Sequence, residues 1–212
     1  MIRGAALALA CVVAVTGPLV APVAAQTAQT AQTAQTAQSA PTPRHTAADV
    51  RFMQGMIHHH AQAVAMAALV PARTTREDLR ALAARIDVSQ VDEMENMRQW
   101  LRDRGAPLAL PATTGGHEAH GAHAAAMPMM PGMLSADEMD ALERSTGAEF
   151  ERRFLAGMIK HHEGALVMVR ELFATPGAAE ETAIFSLASD VDADQRAEIA
   201  RMRRLLDALS PG

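Results

Sequence analysis

Phe52-Met-Gln-Gly-Met-Ile-His-His-His60, followed by Met66, is repeated as Phe154-Leu-Ala-Gly-Met-Ile-Lys-His-His162, followed by Met168. Phe52, Gly55, Met56, Ile57, His59, His60, Ala63 and Met66 recur 102 positions later as Phe154, Gly157, Met158, Ile159, His161, His162, Ala165 and Met168. Farther along, Gln90, Glu93, Met97 and Leu101 recur at a spacing of 105 as Gln195, Glu198, Met202 and Leu206. Repetition at this period marks a duplicated structural unit. Both copies are rich in Ala, Leu, Ile, Val and Met, with few β-branched runs, and this composition favours helix.

The punctuation around the repeats predicts four long helices. The first runs from Ala47 to about Leu69 and stops at Pro71. The second starts near Thr75, where Thr75-Arg-Glu-Asp78 resembles a capping box, and ends before Gly105 and Pro107. A short helix capped by Ser135-Ala-Asp-Glu138 runs to about Arg144, and Gly147 marks a break. The third long helix reaches about Ala174 ahead of Pro176-Gly177, and the fourth covers about Ala179 to Leu209. Two similar hairpins joined by one long connector predict an all-α four-helix bundle. Residues 46–209 form one domain, with halves 46–104 and 135–209 and a connector at 105–134.

The N-terminus has the layout of a signal peptide over residues 1–25: Arg3, an apolar run from Ala5 to Val15, and small residues Val23-Ala24-Ala25 before Gln26. The apolar run is too short and interrupted to predict a stable membrane span once the leader is cleaved. Residues 26–45 are a Gln-Thr-Ala tract ending near Pro41 and Pro43, which reads as a spacer. Cys11, the one cysteine, lies in the leader, so the mature chain would carry no disulfide and no thiolate ligand. Losing Arg3 leaves 18 basic against 24 acidic residues. No basic patch points to nucleic acid. The expected location is periplasmic or secreted.

At about 100° per residue, Asp49, Phe52, Met56, His59, His60 and Ala63 share one face of the first helix, and His58 falls on the other side. Lys160 replaces His58 in the second copy, which fits a solvent-facing position. Glu151, Phe154, Met158, His161, His162 and Ala165 repeat the stripe. Gln90, Glu93, Met94 and Met97 lie on the apolar stripe of the second helix, as Gln195, Glu198 and Met202 do on the last. A buried carboxylate needs a partner, and an imidazole on the neighbouring helix supplies one. Such a carboxylate decides which ring nitrogen is left for a metal.

Met-x-x-His-His, twice, places thioether and imidazole on one helix face within a turn. That donor set suits Cu(I), which accepts soft ligands and low coordination numbers. The candidate ligands are Met56, His59, His60, Met158, His161 and His162, with Met97 and Met202 beside them. Asp49, Glu93, Glu151 and Glu198 are candidates to support them from behind. The connector adds His117, His120 and His123, then Met127, Met129, Met130 and Met133. His-rich tracts bind metals by composition, so this segment is a candidate auxiliary site for Cu(II) through His or Cu(I) through Met.

The doubled Gly-Met-Ile-x-His-His, with Gln90, Glu93, Met97, Trp100-Leu101 and their later counterparts, resembles the bacterial "domain of unknown function 305" family over about residues 46–209. The resemblance implies a ferritin-like helical bundle, exported in many members, some of which bind copper and support copper tolerance. The expected role is copper binding or buffering in copper homeostasis or tolerance, with metal ions and other exported copper-handling proteins as partners. No nucleophile arrangement, Gly-x-Ser-x-Gly or His-Glu-x-x-His sequence suggests an enzyme. Two alternatives stay open. One is a di-iron carboxylate oxidoreductase drawing on Asp49, Glu93, Glu151 and Glu198. The other is a helical domain that is purely structural or binds a partner, its His–Glu pairs pinning helix register.

Overall fold

The computed structural model describes residues 45–110 and 129–209. The leader, almost all of the spacer, and connector residues 111–128 with His117, His120, His123 and Met127 lie outside the described residues. The described chain is helical throughout: α1 (Ala47–Arg73), α2 (Glu77–Asp103), α3 (Ala136–Arg144), α4 (Gly147–Ala174) and α5 (Thr182–Asp207). There is no strand among the described residues. α1 pairs with α2 and α4 with α5, and the two hairpins join along α1 and α4, with α3 lying against α4. Gly55 faces Met168 while Gly157 faces Met66, so α1 and α4 run antiparallel and the repeats are related by an approximate two-fold. No described helix is long and apolar enough to cross a membrane.

Three helix ends differ from expectation, each for a local reason. Pro71 does not stop α1, which continues to Arg73. In the last turn a proline forfeits one backbone donor without breaking the rod, and the Thr74 N–H closes it on the Val70 carbonyl at 3.2 Å. Thr75 and Asp78 do not cap α2. Arg76 occupies the cap position, its N–H donating to Thr74 Oγ1 at 3.1 Å and its Nε to Asp78 at 3.0 Å. α5 starts at Thr182 rather than Ala179, because Ala179 takes a φ of 56° and a left-handed residue cannot belong to a right-handed helix. The Ser135–Glu138 capping box forms as expected, and an unpredicted one joins Thr46 and Asp49.

Asp49 and Glu151, expected beside the histidines, instead clasp the hairpins together. Asp49 is fully buried. One oxygen accepts from Thr46 N and Oγ1 at 2.6 and 2.8 Å, and the other accepts the Ala179 N–H at 2.7 Å. Its counterpart Glu151 accepts from Thr74 Oγ1 at 2.5 Å and lies 3.6 Å from Arg76. Each carboxylate, near the start of its helix, thus reaches the turn of the other hairpin.

Asp49→Ala removes a cap and strands a buried amide, so it should cost about 2–4 kcal/mol. Asp140→Ala, which breaks an exposed pair with Arg144, should cost less than about 0.5 kcal/mol. Urea unfolding of the two variants checks the contrast, and equal losses would contradict it.

Candidate metal centre

His59, His60, His161 and His162 are all fully buried at the α1–α4 crossing. Their rings form a row, with centroids 6.3 Å apart from His60 to His59, 3.8 Å from His59 to His161, and 6.2 Å from His161 to His162. Every Nε2 lies against an oxygen. His60 meets Glu93 at 2.6 Å and His162 meets Glu198 at 2.7 Å. His161 meets the His59 carbonyl at 2.8 Å, and His59 meets the Pro131 carbonyl at 3.0 Å. Carbonyls and carboxylates only accept, so the proton belongs on Nε2 in all four rings. All four Nδ1 atoms are buried and have no hydrogen-bond partner.

Burial also disfavours the charged form of His59, His161 and His162. Desolvation, reinforced by the neighbouring His60, lowers the His59 pKa from 6.5 to about 3. The same desolvation, followed by the nearness of His59 and His162, holds His161 well below its ordinary value. Desolvation lowers His162 as well, against the upward pull of Glu198. A neutral ring bonded through Nε2 presents its Nδ1 lone pair, the state a metal ligand requires.

The thioethers follow the duplication. Met56, Met97, Met158 and Met202 are fully buried. Met56 and Met97 share one core cluster, and Met158 and Met202 share the other. Met53 and Met94 add two buried sulfurs to the first half, where the second half has Leu155 and Ile199. Glu93 and Glu198 back the histidines as expected, whereas Asp49 and Glu151 touch none of them. Among the described residues, no three His, Cys, Asp or Glu side chains converge to hold a metal. Four unpaired Nδ1 atoms, with buried methionines on the same helices, are a donor set that fits a soft ion.

The connector supplies one contact that the sequence did not disclose. Its returning segment lies against the histidine row, with the Pro131 carbonyl on His59 and both backbone groups of Leu134 on the Gln62 amide at 2.7 and 2.9 Å. The approach is so close that a methyl on Gly164 would collide with Pro131, and one on Gly132, whose φ is 77°, would lie 2.7 Å from the Gly164 Cα. Met129 is exposed, Met130 half-buried, and Met133 buried rather than presented with the connector. His58 is half-buried, away from the row. Gln90 and Gln195 are buried with unpaired amide atoms, as their stripe positions suggest.

Fold and interior define an all-helical protein built around a duplicated histidine–methionine core. The chain belongs to the family described as Domain of unknown function (DUF305), whose profile matches residues 49–206. A DUF305 fragment from Deinococcus radiodurans is similar at 30% identity and a TM-score of 0.63, covering 78% of this chain and 99% of that one. A DUF305 protein from Streptomyces coelicolor is similar at 27% identity and a TM-score of 0.65, covering 79% and 96%. CopM in its Cu(I)-bound form is similar at 25% identity and a TM-score of 0.58, covering 77% and 98%. CopM is also known in Cu(II)-bound and Ag-bound forms. Comparison with curated proteins finds no match.

The neutral histidines give a pH prediction. The unfolded imidazole takes up a proton near pH 6.5 and folded His59 refuses it until about 3, so falling pH favours unfolding in that window. From pH 6.5 to 5, His59 alone should remove about 2 kcal/mol from the ion-free protein, with nothing lost above that window. Urea unfolding at pH 7.5, 6 and 5 measures it. A stability that stays level down to pH 5 would contradict the neutral assignment.

Proposed function

We propose that this protein binds copper, chiefly as Cu(I), in its helical interior and buffers it in an exported compartment. One observation carries the reading: four buried imidazoles spend their N–H on fixed oxygens and leave Nδ1 unpaired, on helix faces that also carry buried thioethers. The copper-bound and silver-bound forms of CopM support the choice of ion. Export rests on the signal-peptide layout of residues 1–25.

Each protein group has a definable part. Glu93 and Glu198 hold the Nε2 protons of His60 and His162, fixing the tautomer and raising the basicity of Nδ1. The Pro131 and His59 carbonyls do the same for His59 and His161. Met56, Met97, Met158 and Met202 supply soft sulfur, and their burial excludes the water that would compete for an ion. Binding rather than catalysis is the role these parts suit. Of the four carboxylates a di-iron centre would draw on, Asp49 and Glu151 are committed to the hairpin turns.

Anaerobic titration with Cu(I) against a competing chelator tests the proposal. Wild-type protein should bind more tightly than about 10 μM, roughly −7 kcal/mol. Met56→Leu with Met158→Leu keeps the volume and removes the sulfur. Affinity should fall at least about tenfold while unfolding changes little. Glu93→Gln with Glu198→Gln should weaken binding about 10–100-fold by loosening the imidazoles. Binding no tighter than the threshold, or indifferent to the methionine pair, would overturn the reading.

A further inference from the structure

Beside the histidine row, α1 and α4 leave a groove of about 320 Å³ whose lining includes Arg51, Phe52, Gly55, Met130, Met168 and Glu171. Two thioethers converge on its floor. A methyl placed on Gly55 would lie 3.3 Å from Met168 Cε and 3.5 Å from both Cε and Sδ of Met130. Met168 comes from α4 and Met130 from the returning connector, so chain segments far apart in sequence bring sulfur to one bare α-carbon.

The other half of the molecule provides an internal control. A methyl on Gly157, the counterpart of Gly55, would lie 3.3 Å from Met66 Cε and 3.1 Å from Leu134 Cδ2. Leucine stands there where the first half has Met130. Met66 is fully buried and does not line the surface depression beside Gly157, which Leu134 borders. One glycine seat is thus closed by hydrocarbon and one buried sulfur. The other holds two methionines, both bordering a groove that opens to solvent. Filling space does not require the second sulfur, since Leu134 serves at the twin position.

We propose that Met130 and Met168, converging over Gly55, form a second, solvent-accessible site for a soft monovalent cation of the Cu(I) or Ag(I) class. Unbranched thioethers swing to meet such an ion and suit its low coordination number. The sulfurs are neutral, and Glu171 in the groove lining offsets the charge of Arg51, so the lining presents no net positive charge to the ion. Pro131, whose carbonyl meets His59, also lines the groove, so the site adjoins the histidine row but uses none of its rings.

Ag(I), which needs no reductant, is the probe. Purified protein labelled with 13C at the methionine methyls is titrated with Ag(I), and the signals are assigned by single Met→Leu variants. The Met130 and Met168 methyls should shift together. Met130→Leu, which copies Leu134, should abolish the Met168 response and lower the bound Ag(I) by one per chain. Met168→Leu should silence Met130 in the same way. In both variants Met56 and Met158 should respond as in the wild type. Met130 and Met168 signals that stay fixed to saturation would overturn the site, as would a Met168 response that survives Met130→Leu. Shifts at Met130 and Met168 without shifts at Met56 and Met158 would uphold the groove site and remove the buried centre.

Discussion

A neutral imidazole has one proton to give and one lone pair to offer, and in this interior four of them give the proton the same way. Each Nε2–H is directed at an oxygen, and the position of that oxygen constrains the surrounding chain. Glu93 and Glu198 belong on the apolar stripes of α2 and α5 because His60 and His162 need them there. The His59 carbonyl draws α4 onto α1 through His161. The Pro131 carbonyl draws the returning connector across the top, which in turn requires glycine at 132 and 164. Pairing, crossing and connector path all satisfy the same four donors.

Duplication explains the plan, and its departures identify what differs between the halves. The carboxylate clasps are symmetric: Asp49 holds the turn before α5, and Glu151 holds the turn before α2. The connector cannot be symmetric, because the chain has only one. It bonds His59 through Pro131, whereas the equivalent ring, His161, bonds a helix carbonyl. It also places Met130 over Gly55 but Leu134 over Gly157. The extra sulfurs Met53 and Met94 fall in the same core cluster as Met168, with Met130 packed against it. Two originally equivalent halves are therefore graded, with soft donors concentrated on one side.

Much of this was legible in the sequence because helices expose their faces through periodicity. Met56 with His59 and His60, and Gln90 with Glu93 and Met97, lie on predictable stripes, and repetition separated His58 from the rest through Lys160. That Glu93 and Glu198 would meet imidazoles of a neighbouring helix followed from the cost of burying a lone carboxylate, and the structure supplies His60 and His162. Asp49 and Glu151 misled because a stripe position fixes the angle around a helix but not the height along it. They sit a turn or more from the histidines, beside the hairpin ends, where unpaired turn groups compete for them. The Pro131 contact was invisible because a backbone carbonyl carries no side-chain signature. Pro71 and Thr75 misled for a related reason: the turn at Thr74 is organised by Glu151 from the other hairpin, a contact that local rules do not include.

Unpaired Nδ1 atoms make this interior less stable than it need be. A buried acceptor without a donor costs about 1–3 kcal/mol, and His59, His60, His161 and His162 each present one, with Gln90 and Gln195 adding amide atoms nearby. Apolar side chains of similar volume would pack the crossing without that penalty. The clasps at Asp49 and Glu151, the capping boxes and the glycine contacts compensate from the periphery, so the rings stay in position although their lone pairs are unused. An ion that the folded state alone can bind removes the penalty and raises stability in proportion to the logarithm of its concentration over its dissociation constant. Under the proposed copper-binding reading, the polar interior and the stiff periphery belong to one arrangement, in which binding would return the stability that the unpaired lone pairs withhold.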